Sequence, residues 1–159
     1  MTCCATSSYC LRLEVYCGRE QHTQEMQSAD HNTAPSAIMR NLEAVLPPQS
    51  DGIYRLIVTD RYYTSVQLAY QLLQRQVYCV GTIQDDRQGF CDAMKEKNRN
   101  RPRSIAHGTT RMAVAKNSPQ MTSLVWWARR PVQMLATGAS RSTESCCMYC
   151  GLFEAAYRY

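Results

Sequence analysis

The stretch Leu56-Ile57-Val58-Thr59-Asp60-Arg61-Tyr62-Tyr63-Thr64-Ser65 constrains this chain more than any other. It opens with a short apolar, β-branched run, the pattern of a buried strand. It closes on Thr64 and Ser65, both favoured helix N-caps, just before the periodic apolar segment Val66 to Leu73. Asp60 lies where the strand should stop. In an open α/β sheet the carboxyl ends of strands are where ligands and metals gather. A second strand, Val77-Tyr78-Cys79-Val80-Gly81-Thr82-Ile83, follows the helix. Strand, helix and strand predict a βαβ unit with a right-handed crossover.

The residues Thr59-Asp60-Arg61-Tyr62-Tyr63-Thr64-Ser65, then Val80-Gly81-Thr82-Ile83, Arg87 and Gly89-Phe90, resemble the piggyBac-type transposases. The family pattern is an Asp with aromatic residues and Thr-Ser, a helix, a Gly-Thr strand, then a basic residue and Gly-Phe-Pro. Cys91 stands here in place of that Pro. The resemblance runs roughly from Tyr9 to Ser140. It implies an α/β chain with an incomplete ribonuclease-H-like fold, a mixed sheet with packed helices, plus a short β-meander. It implies DNA as partner, DNA strand cleavage and transfer as the family's activity, and the nucleus as location. It also implies three separated carboxylates that hold divalent metal, Mg²⁺ or Mn²⁺, with Asp60 matching the second. The implied division is a partial transposase domain over 1–140 and a divergent tail over 141–159. No small-molecule substrate is expected, and the oligomeric state is left open.

A length of 159 residues suits one domain or most of one, and 45% hydrophobic residues can build a core. The formal net charge is +5, of which Lys95 to Arg103, with five basic residues and one acid, carries +4. Such a balance fits a polyanionic partner without requiring one. Nine cysteines is a high count, yet no apolar run behind basic residues opens the chain. Secretion, the usual setting of a disulfide framework, is therefore not expected. No run is long enough for a membrane span.

Tyr9 to Cys17 alternates cleanly and predicts a half-buried strand, with Cys10, Arg12, Glu14 and Tyr16 on its polar face. In the resembled family such a strand follows the first catalytic carboxylate, expected upstream of Met1. Arg19 to Asn32 reads as loop. A helix is predicted near 34–46, with Thr33 as N-cap, Pro35 in the first turn and Pro47-Pro48 as the stop. Asp51-Gly52 turns the chain into the central strand.

Asp85 and Asp86 tempt a metal reading, but adjacent side chains diverge, and Asp-Asp in a loop with Gly89 suits solvation better. A short helix is predicted over Asp92 to Asn98. Lys95, Lys97, Arg99, Arg101 and Arg103 alternate; extended, they would follow a phosphate backbone, and otherwise they form a solvated connector. Arg111 to Ala115, Met121 to Trp127 and Val132 to Thr137 read as three strands of a meander. Trp126 and Trp127 must face opposite ways, so one belongs to the core. The other is a partly exposed structural residue or a platform for a base. His22, His31 and His107 lie in polar loops, and no Cys or Ser is paired with a His as a nucleophile. Cys146-Cys147-Met148-Tyr149-Cys150 contains one Cys-x-x-Cys, half a structural zinc site.

Metal-assisted phosphodiester cleavage needs several oxygen ligands around two cations. One Asp does not hold two such ions. Asp60 alone is therefore expected to be the remnant of a metal ligand, or a carboxylate serving the following helix, with no second carboxylate in bridging reach. Glu14 is its nearest competitor. The chain reads as a fragment of a piggyBac-like transposase, inactive alone. The alternatives are a domesticated transposon-derived nucleic-acid-binding module without catalysis and a structural remnant with no activity.

Overall fold

The computed structural model describes residues 1–15, 34–46 and 52–138, together with the backbone of 146–150 and 153–158. Thr33, Pro47-Pro48, Asp51 and the loop expected over 19–32 lie outside the described residues. The chain divides into two compact units, residues 1–51 and 52–159.

In the first unit β1 (Thr2–Cys3) and β2 (Cys10–Arg12) pair antiparallel, Thr2 opposite Arg12 and Cys3 opposite Cys10. The helix α1 (Ala34–Val45) falls where the apolar spacing places it and buries Leu42 and Asn41. Arg12 Nε donates to Asn41 Oδ1 at 2.7 Å, and Arg40 Nη2 to Glu14 Oε1 at 2.6 Å. Of the strand expected over Tyr9 to Cys17, Cys10–Arg12 is strand and Leu13 to Val15 is not, while Tyr16 and Cys17 lie outside the described residues. On its apolar face Tyr9, Leu11, Leu13 and Val15 are exposed. It sits in a two-stranded sheet, not in the sheet that contains Leu56 to Val58. Alternation sets which side chains share a face, but it does not choose the partner strand.

The second unit is a mixed sheet in the order β3-β4-β7-β6-β5-β9-β8. Its strands are β3 (Arg55–Thr59), β4 (Val77–Thr82), β5 (Thr110–Ala115), β6 (Ser118–Trp127), β7 (Pro131–Thr137), β8 (Cys146–Cys150) and β9 (Phe153–Arg158). β3 and β4 are parallel, Ile57 opposite Cys79, with α2 (Val66–Gln74) between them in sequence. All other neighbours pair antiparallel, so the expected β-meander is β5, β6 and β7.

Ser65 caps α2, its hydroxyl accepting from Leu68 N at 3.1 Å. Val66, Leu68, Ala69 and Leu72 form the buried stripe of α2, which packs over β4 and β7. Val77, Cys79, Ile83, Met121, Val125, Trp127 and Leu135 are likewise nearly inaccessible. β3 departs from expectation: it is an edge strand, and Leu56 and Val58, on the face opposite Ile57 and Thr59, are 63% and 77% exposed. A three-residue apolar run is equally compatible with an edge and a centre. The helix expected over Asp92 to Asn98 is a single 3₁₀ turn, Asp92–Met94, anchored by buried Phe90, Cys91 and Met94. Cys3, Cys4, Cys10 and Cys79 are free thiols, whereas Cys91 is disulfide-bonded, a bond the reading from compartment did not anticipate.

Candidate functional site

Asp60 occupies the turn between β3 and α2, at the carboxyl end of its strand, and is exposed. Its Oδ1 accepts from Tyr62 N at 2.9 Å and Tyr63 N at 3.2 Å. Its carbonyl oxygen accepts from Tyr63 N, from Thr64 N at 3.0 Å and from Thr64 Oγ1 at 2.7 Å. This is the Asx turn that a short side-chain acceptor makes with its own backbone. Below it the hydroxyls of Thr59 and Thr64 are 2.8 Å apart and buried. Arg87 closes the outer side, donating from Nη2 to Tyr62 O at 2.6 Å. The residues quoted for the family pattern, Thr59 to Ser65, Gly81 and Arg87, therefore meet in one turn.

Among the described residues Asp60 has no partner carboxylates with which to hold a pair of divalent cations. Among the described residues no three His, Cys, Asp or Glu side chains group around a common point. One of the Asp60 oxygens is committed to two amides. Cys79 is not a thiol nucleophile: burial pushes its thiol up to about 11, so it stays protonated at neutral pH.

The basic run lies along the meander. Lys95 Nζ is 2.6 Å from Asp92 Oδ1, Arg101 donates to Ile105 O, and Glu96 pairs with Arg111. Arg101 N also donates to Arg129 O at 3.1 Å. Lys97, Arg99 and Arg103 are exposed. The five cations expected to project freely from a solvated connector thus divide into two engaged and three open. Alternation in the sequence does not become alternation in space, because the segment is not a regular strand.

An open cavity of about 360 Å³ lies beside this run, lined by Asn100, Arg101, His107 and Arg129. Trp126 is 39% exposed with the His107 ring edge-on at 6.3 Å, while Trp127 is buried. The opposed tryptophans follow from alternation. The cavity was missed: Ala128-Arg129-Arg130-Pro131 reads as a turn, and His107 as a solvated loop residue. The available signal was two basic stretches flanking one Trp strand.

Fold and site together define a mixed α/β protein with a strand–Asp–helix turn and a basic antiparallel meander. The chain belongs to the DDE-type family described as Transposase IS4, whose sequence model matches residues 1–150. Its fold is similar to that of the piggyBac transposase in a cryo-EM structure of the synaptic complex with hairpin DNA, with TM-score 0.56 and 20% identity. That match covers 74% of this chain and 23% of the other, so the chain spans about a quarter of that transposase. The piggyBac-type likeness carried by Asp60 and its neighbours is thus met again in the fold. No curated protein matches the chain. Transposases of this family generally use divalent metal. No helix among the described residues is long and apolar enough to cross a membrane.

Proposed function

We propose that this chain is a segment of a piggyBac-type transposase core that binds DNA and does not cleave it alone. In this reading residues 1–140 are the partial, ribonuclease-H-like domain, 141–159 are a divergent tail, and the protein works in the nucleus. The observation that carries the reading is Asp60. It matches the second carboxylate of the resembled triad and stands in a strand-to-helix turn, with no three-ligand group among the described residues. Its carboxylate holds the turn through Oδ1. Lys95, Lys97, Arg99, Arg101 and Arg103 supply the nucleic-acid contacts, with Lys97, Arg99 and Arg103 the most available. Contacts of this kind go to phosphates and carry no sequence information.

A supercoiled plasmid incubated with the chain and Mn²⁺ tests the catalytic half: no nicking above background is expected. Nicking that disappears in Asp60→Ala would overturn it. Duplex DNA titrated at several salt concentrations tests the binding half, which a salt-independent isotherm would overturn. The second reading, a domesticated nucleic-acid-binding module, is favoured by the same three exposed cations. It differs in predicting binding as the whole function rather than as a remnant of it.

A further inference from the structure

We propose that Trp126, His107 and the Arg101–Arg129 cavity form a binding site for an unpaired nucleotide of single-stranded DNA. This rests on the reading of the chain as a DNA-binding transposase segment, and adds a site and a preferred form of DNA.

Charge is the first support. From Lys97 to Gly138 the sequence holds eight cations, Lys97, Arg99, Arg101, Arg103, Arg111, Lys116, Arg129 and Arg130, and no Asp or Glu. The meander and its approach therefore carry no carboxylate of their own. Arg111 is met by Glu96 from just outside this span. The cavity lining, Asn100, Arg101, His107 and Arg129, holds no acid either.

Unsatisfied capacity is the second. Arg101 gives one Nη to the neutral carbonyl of Ile105, and among the described residues its charge meets no carboxylate and its buried Nε has no hydrogen-bond partner. A buried donor left unpaired is costly unless a ligand or water reaches it. A phosphate oxygen beside Arg101 and Arg129 is a charge-matched acceptor.

Shape is the third. Gly108 N donates to Trp127 O at 2.7 Å and Trp127 N to Thr109 O at 2.8 Å, while Arg101 N bonds Arg129 O. These bonds fasten the loop that bears Arg101 and His107 to the end of β6. The platform is thus built before any ligand arrives. Trp126 stands between Thr110 of β5 and Val132 of β7, both only part-exposed and smaller. Its indole is accordingly open to a flat partner. Duplex bases offer only their edges, whereas an unpaired base offers a whole π-face, which every base possesses.

The test titrates the full chain with three probes of equal length: an oligothymidylate, its abasic counterpart with the same phosphates, and a duplex. Oligothymidylate should quench tryptophan fluorescence and bind more tightly than the abasic strand. Trp126→Ala should weaken the oligothymidylate roughly five- to hundredfold and leave the abasic strand unchanged. Trp126→Phe, which keeps an aromatic face, should restore most of the loss and guards against a folding artefact. Arg129→Ala should weaken both single strands. Equal affinity for oligothymidylate and abasic strand, or no effect of Trp126→Ala, overturns this site while duplex binding leaves the DNA reading standing. Failure of all three probes to bind overturns both.

Discussion

The hydroxyl oxygens of Thr59 and Thr64 lie 2.8 Å apart, and the pair fills the space directly over Gly81. Thr59 ends β3, Thr64 precedes the helix cap, and Gly81 is opposite Thr59 in the parallel ladder. A Cβ on Gly81 would overlap Thr59 O, Thr59 Oγ1 and Thr64 Oγ1 at once. The Gly of the Gly-Thr strand is therefore required by the turn that bears Asp60, and not by its own backbone angles.

Gly81→Ala should accordingly cost stability, because one of the atoms it meets is backbone and cannot rotate away. The expected loss is about 1–3 kcal/mol or more, as for other overpacked interiors. Urea unfolding followed by circular dichroism measures it. A midpoint within error of the parent would mean that the turn gives way easily.

Asp60→Asn should be nearly silent in stability, since an amide oxygen can still accept from Tyr62 N and Tyr63 N. Asp60→Ala leaves those amides to water and should cost about 1 kcal/mol. A metal ligand behaves differently: divalent cation would then raise the melting temperature of the parent and of neither variant. Cation-independent melting for all three proteins is the expected result.

Cys79 is completely inaccessible, and its backbone N–H donates to Thr137 Oγ1 at 2.8 Å. Burial raises its thiol from 9.0 to about 11, partly offset by the Thr59 hydroxyl. The unfolded chain then loses this proton near pH 9 while the folded chain keeps it. The contribution is present in full below pH 9, falls as pH rises towards 11, and levels off above. Its size is about 2–3 kcal/mol from a shift of two units. Stability profiles of the parent and Cys79→Ala, subtracted, should diverge only in that window. A flat difference would place Cys79 in contact with water.

Much of the second unit was legible because local signals agreed with one another. Ser65 before a stripe of Val66, Leu68, Ala69 and Leu72 admits one structure, a capped helix on a sheet. Trp126 and Trp127 could not both be core in an extended chain. What depended on partners was not legible. Leu56 and Val58 look the same at an edge as at a centre, and Tyr9 to Val15 alternates whether or not anything covers it. The division of the basic run was also hidden. Lys95 finds Asp92 three residues back, an in-sequence neighbour that was visible, but Arg101 is held by Ile105 O and Arg129 O, which only folding brings near.

That division leads to a sharper expectation for DNA. Five free cations would give a log–log salt slope near −4 to −5, at roughly 0.9 per phosphate engaged. Lys95 is already paired with Asp92, and the Arg101 side chain donates to Ile105 O, so each must rearrange before it can follow a duplex. Lys97, Arg99 and Arg103 need no rearrangement. Replacing these three with Ala should remove about 2.7 from the slope. Replacing Lys95 alone should change it by much less than 0.9. The fold should survive the triple variant, because all three side chains are exposed. Anisotropy titrations of labelled duplex from low to moderate salt measure both slopes. Equal effects of Lys95→Ala and Arg99→Ala would mean that the ion pair with Asp92 opens freely and that the whole run acts as one flexible polycation.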